Sequence, residues 1–182
     1  MHLPTSALLL LTTLAAAQTE AKSKPKPTVY LIRHGEKPSD DSQTGLSPRG
    51  EQRAQCLRSV FGAASGYYNV GYILAQTPEA NGQKARPYLT VQPLADDLGL
   101  AVDTSCDRDD AKCVKDAVEG YMGQGNILIC WEHKQLNNLA EELGAKDVDN
   151  YPDDAYDLIW TQPYDYDEIT SVTSEDCPGL DD

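Results

Sequence analysis

The 182-residue chain has three histidines, and two of them, His34 and His133, stand at the ends of strongly apolar runs. His34 follows Thr28–Arg33 (TVYLIR), and His133 comes just after Asn126–Trp131 (NILICW). Arg33 precedes the first histidine and Gly35 follows it. An arginine offers a planar fork of donors that matches phosphate or carboxylate. A glycine lets the backbone turn sharply and lets a substrate come close. Either histidine alone could be a core residue; two at equivalent strand ends point to a site that binds an anion beside a pair of imidazoles. A salt bridge to one of the many acids is the bland alternative for Arg33, but the end of a buried strand is a costly place for one.

The elements that would hold these residues alternate between strand and helix. Thr28–Arg33, Gly71–Ala75, Ala101–Asp103 and Asn126–Trp131 are short and rich in β-formers. A helix is predicted from Pro48, with Ser47 as its N-cap, to about Phe61. A second spans Lys84–Leu98, kinked or broken by Pro87 and Pro93, and a third Asp109–Tyr121. A fourth runs over His133–Leu143 and is ended by Gly144. Asp157–Thr161 and Glu168–Val172 read as later strands at an edge. Strands separated by helices predict an α/β fold: a three-layer α/β/α sandwich around a mainly parallel sheet. Ligands in such folds bind beyond the C-terminal ends of the strands, which is where both histidines fall.

Composition narrows the partners. A net charge of -14 argues against nucleic acid, whose phosphates need a basic surface. From Asp147 to Asp182 there are twelve Asp or Glu and no Lys or Arg, read as a solvated acidic face with divalent-ion binding as the alternative. Met1–Ala17 reads as a secretory signal peptide, with an apolar run too short to span a bilayer and a cut near Ala17/Gln18. Residues 18–27 form an extended basic linker, and 28–182 a single domain. The expected location is extracellular, away from membranes. Five cysteines suit an oxidising compartment. Connectivity is not readable from sequence; Cys106–Cys113 and Cys56–Cys177 are the first guesses, with Cys130 a buried free thiol.

Four segments resemble, in order, the signatures of the histidine phosphatase superfamily, which includes the phosphoglycerate mutases. Arg33-His34-Gly35-Glu36 is similar to its RHG motif, and Leu46–Ala54 (LSPRGEQRA) to its LTxxGxxQA segment. Arg86 with Thr90 and Val91 resembles its RAxxTA helix, and Ile127–His133 the strand that ends in its second histidine. The likeness covers roughly Val29 to Leu143 and implies a phosphoglycerate mutase-like fold. It also implies that His34 attacks phosphorus to form a phosphohistidine, while Arg33, Arg86 and His133 hold the phosphoryl oxygens. The general acid is open between Asp107, in the loop before the third helix, and Glu132, which precedes His133. The implied enzyme needs no cofactor or metal, acts on small phosphorylated substrates, and works best at acid to neutral pH.

Other phosphatase chemistries fit poorly. No cysteine lies six positions before an arginine, and there is no Gly-rich Lys-Ser/Thr loop. Asp165-Tyr166-Asp167 is half of an aspartyl-phosphate motif without the following Thr. A metal hydrolase on the two histidines would set Arg33 and Arg86 against its cation. Two alternatives stay open: a mutase-type phosphotransferase, and a catalytically silent module that binds an anion or sugar phosphate.

Overall fold

The computed structural model describes residues 26–40 and 42–181. The predicted signal segment, and the linker as far as residue 25, lie outside them. Six strands form one sheet: β1 (Val29–Arg33), β2 (Val70–Ala75), β3 (Val102–Asp103), β4 (Asn126–Trp131), β5 (Leu158–Gln162) and β6 (Ser171–Ser174). Their order is β3-β2-β4-β1-β5-β6. The first four are parallel; β5 runs antiparallel to β1, and β6 antiparallel to β5. A four-residue β6 occupies the edge, as expected, but it starts at Ser171 rather than Glu168.

Four helices cover the sheet: α1 (Pro48–Val60), α2 (Arg86–Leu98), α3 (Ala111–Gly120) and α4 (His133–Leu143). The period of two along each strand sorts the core into two halves. Val29 and Leu31 of β1 pack with Ile127, Ile129 and Trp131 of β4, beneath Val114 and Val118 of α3 and Leu136 and Leu139 of α4. Tyr30, Ile32, Leu128 and Cys130 face the other way, onto Leu57 of α1 and Val91, Leu94 and Ala95 of α2. This is the predicted three-layer sandwich.

Local chemistry explains the helix ends. The Ser47 hydroxyl accepts from the Gly50 N–H (3.1 Å), and the Asp110 carboxylate from the Cys113 N–H (2.9 Å). The second cap starts α3 at Ala111, two residues later than expected. The predicted break in α2 does not occur. Pro87 sits in its first turn, where an N–H would have no helical acceptor, and Pro93 removes one interior bond. Burial of Val91, Leu94 and Ala95 against the sheet outweighs that loss.

Both guessed disulfides form, Cys56–Cys177 and Cys106–Cys113, and Cys130 is free and buried. Among the described residues no helix is long and apolar enough to cross a membrane. The acidic C-terminal stretch is not wholly a solvated face: the carboxylates of Glu175 and Asp181 are turned inward and lie 2.7 Å each from Arg53 Nη1. The Cys56–Cys177 bridge closes a loop with a separation of 121 residues and brings Glu175 to Arg53. Loops of that order stabilise a fold by about 2–5 kcal/mol. Replacing Cys56 and Cys177 together by Ser is therefore expected to lower unfolding free energy by that amount in urea titrations, while replacing Cys130 by Ala leaves both bridges intact.

Candidate active site

The site grows from the carboxyl ends of β1 and β4. The two strands pair in register from Val29↔Ile127 to Arg33↔Trp131, and the His34 N–H adds one more rung to the Trp131 carbonyl (3.1 Å). Past this point β1 turns at Gly35, and β4 passes through Glu132 into α4, whose first residue is His133. The turn is packed too tightly for a side chain. A Cβ on Gly35 would lie 2.9 Å from the Gly50 carbonyl oxygen, and one on Gly50 would lie 2.4 Å from that of Glu36. The start of α1 is thereby pressed onto the Gly35-Glu36 backbone, and the Ser47 N–H donates to the Glu36 carbonyl (2.9 Å).

From the other side, Thr90 Oγ1 of α2 accepts from the Gly35 N–H (2.9 Å) and donates to the Arg86 carbonyl (2.8 Å). The threonine fixes the start of α2 beside His34. Arg86 then gives Nε to the Gly45 carbonyl (3.0 Å) and Nη2 to that of Gln43 (2.8 Å), which fastens the 42–46 loop at the rim.

His34 is 6% exposed. Its Nδ1 lies 2.7 Å from the Gly35 carbonyl oxygen, which can only accept, so Nδ1 carries the proton and Nε2 keeps its lone pair. Burial pulls the ring's pKa down to about 4, against the opposing pull of the Gly35 bond; the charges of Arg33, Arg86 and His133 depress it further. Those three groups are near enough to act on the ring, so four sequence-nominated residues do converge here.

Arg33 is 4% exposed. Its Nη1 donates to the carbonyls of Asp153 (2.8 Å) and Ala155 (2.6 Å), and at 3.4 Å to that of Pro152. Its guanidinium stacks on Tyr156, 3.7 Å from the ring centre. Its Nε is buried with no partner among the described residues. His133, 9% exposed, puts Nε2 2.8 Å from the Asp153 carboxylate. Its Nδ1 lies 3.0 Å from Glu132 Oε1, in a direction that makes no hydrogen bond.

Glu132 caps α4, accepting from the Lys134 N–H (3.2 Å), while its own N–H donates to the buried Gln76 side chain (3.1 Å). Its carboxylate therefore stands at the site, next to His133. Asp107 sits in the loop between β3 and α3, and its side chain is exposed and makes no hydrogen bond or ion pair with the residues above.

Two groups escaped sequence reasoning. One is the 152–156 segment, which supplies the carbonyls, Asp153 and Tyr156. Its only hint was aromatic residues set into an acidic run. The other is Glu36, whose carboxylate takes Nε and Nη2 of the buried Arg53 (2.8–3.2 Å). Burial pushes the Glu36 carboxyl up, but the hydrogen bonds and charge of Arg53 prevail and hold it below the usual range. Its place in the first motif was the available signal.

The fold is similar to that of two SixA phosphatases of known structure. The candidate phosphohistidine phosphatase SixA from Agrobacterium tumefaciens superposes with a TM-score of 0.58 at 14% identity, over 82% of this chain and 98% of its own. The protein histidine phosphatase SixA complexed with tungstate gives 0.51 at 15% identity, over 81% and 97%. At such identities the likeness is one of fold. No protein-family model and no curated protein matches the sequence.

The buried, neutral His34 yields a test with a definite sign. Its folded pKa, about 4, lies below the roughly 6.5 of an unfolded histidine, so the unfolded chain binds the extra proton first. Its contribution to stability is complete above pH 6.5 and drains away as pH falls toward 4, by on the order of 3 kcal/mol. In a proton NMR titration the His34 ring is expected to remain neutral at about pH 5.5, where a free histidine is mostly charged. A midpoint near 6.5 would place the ring in open solvent.

Proposed function

We propose that this chain is a phosphohydrolase that cleaves small phosphate monoesters through a phosphohistidine at His34. One observation carries the reading: a ring locked by Gly35 into the tautomer with a free Nε2, kept neutral by burial, and surrounded by Arg33, Arg86 and His133. That is a nucleophile inside an anion-binding cluster. The SixA neighbour that holds tungstate, a tetrahedral oxyanion, supports the same reading.

In the first step the Nε2 lone pair forms a bond to phosphorus as the bond to the leaving oxygen breaks. That oxygen takes a proton from a carboxylic acid. Arg33, Arg86 and His133 donate to the three equatorial oxygens and stabilise their charge. In the second step water attacks phosphorus, the P–N bond breaks with its electrons returning to Nε2, and the carboxylate recovers a proton from the water. Orthophosphate leaves. Because His34 is neutral well below pH 6, its protonation permits activity across the acid to neutral range.

Glu132 is the better placed acid, since it lies beside His133 at the site, whereas Asp107 would have to reach in from an exposed loop. Export after removal of residues 1–17 fits the two disulfides.

The deciding assay is turnover of an aryl phosphate between about pH 4 and 8. His34→Ala is expected to abolish it, with a loss of at least about 10³-fold. Glu132→Gln should depress an alkyl phosphate, which needs a protonated leaving group, about tenfold or more beyond its effect on the aryl ester. If Asp107→Asn produces that pattern and Glu132→Gln does not, the acid is Asp107. An inactive wild type that still binds tungstate would identify a silent anion-binding module.

A further inference from the structure

Arg33 is a buried cation whose neighbours satisfy only part of it. One corner, Nη1, is consumed by the carbonyls of Pro152, Asp153 and Ala155 at 2.6–3.4 Å. One face is covered by the Tyr156 ring at 3.7 Å. The opposite edge is left over: Nε is buried without a partner, and every hydrogen bond that the guanidinium makes to the described residues comes from Nη1, none from Nη2. A buried donor without an acceptor is costly, and native structures keep one only where something else supplies the acceptor. The Nε–Nη2 edge is also the edge of a guanidinium that meets two oxygens of a phosphate at once.

We infer that Tyr156 is a positioning residue: its ring clamps the Arg33 guanidinium so that the Nε–Nη2 edge, and no other, faces the phosphoryl oxygens. The inference rests on the phosphatase reading above and assigns a role to a residue outside every motif of the sequence. The parts fit a single purpose. Three carbonyls fix where Nη1 lies but leave the plane free to tilt about it. A ring stacked on the plane removes that freedom. The Tyr156 ring also meets the His34 ring edge-on at 6.4 Å between centres, so the arginine and the nucleophile share one wall. The clamp is the aromatic face and not the hydroxyl, for which the structure shows no hydrogen bond among the described residues. The stack holds Arg33 without neutralising it, which a carboxylate in the same place would do.

Three proteins test this: wild type, Tyr156→Phe and Tyr156→Leu, each assayed for kcat and KM on an aryl phosphate, for tungstate affinity and for melting temperature. Tyr156→Phe keeps the ring and is expected to stay within about threefold of wild type in every reading. Tyr156→Leu keeps the bulk but loses the π face. It is expected to lose about tenfold in tungstate affinity and about 10–100-fold in kcat, with little change in melting temperature. A Leu variant that melts earlier yet matches wild type in kcat and tungstate affinity would overturn the inference and leave Tyr156 a packing residue. A Phe variant as damaged as the Leu variant would also overturn it, by assigning the effect to the hydroxyl. If wild type neither turns over substrate nor binds tungstate, the phosphatase reading falls and takes the clamp with it. An active wild type with an unaltered Leu variant removes the clamp alone.

Discussion

The hydrogen bond from the His34 N–H to the Trp131 carbonyl, 3.1 Å long, is the last rung of the β1–β4 ladder, and the site depends on it. Parallel pairing in this register makes the two central strands end together, so that whatever follows each one emerges at the same place. A one-residue slip would exchange the two faces of β1 and turn Arg33 from the α4 side to the α1 side. The apolar runs on both strands enforce the register, because Val29 and Leu31 must share one core half while Tyr30 and Ile32 share the other. The fine geometry of the site thus rests on coarse hydrophobic sorting.

The protein buries two arginines near this rung and treats them in opposite ways. Arg53 meets three carboxylates, Glu36, Glu175 and Asp181, and its charge is spent on them. The surplus of acid shows in Glu175, which burial and the neighbouring carboxylates Asp181 and Asp157 push well above the usual range, against the pull of Arg53. Among the described residues, the hydrogen bonds of Arg33 go to carbonyls and its face to an aromatic ring. Dipoles and a π face lower the cost of burying a cation while leaving its field intact. The contrast divides labour: Arg53 ties the C-terminal segment to α1, and Arg33 keeps a positive potential at the site of a chain whose net charge is -14.

Much of this was legible in the sequence where the signal is local. The strand Asn126–Trp131 and the helix His133–Leu143 fall where periodicity and Gly144 put them, and Ser47 caps α1 as its chemistry requires. The four ordered motifs gave the fold, and Arg33, His34, Arg86 and His133 converge. What stayed hidden acts across distance. Arg33 reaches the Asp153 carbonyl over 120 residues, and no spacing rule announces that a backbone oxygen will serve there. Pro93 misled for a related reason, since the cost of a missing helix bond is local and visible, while the burial that offsets it is neither. Glu175 and Asp181 looked like surface acids because composition counts charges without showing which of them Arg53 will draw inside.

The place of β5 in the sheet has a consequence for the order of events in the chain's lifetime. The strand that leads to His34 is made well before one of its two neighbours, β5 (Leu158–Gln162), and before the segment that holds Arg33, which comes just ahead of β5. A growing polypeptide would therefore carry His34 on a half-paired strand with an open edge until these late residues arrived. Until then Arg33 has neither its carbonyls nor its ring, and the lone imidazole is only a solvated base. The buried setting of His34 is a property of the finished weave, withheld through synthesis by topology alone.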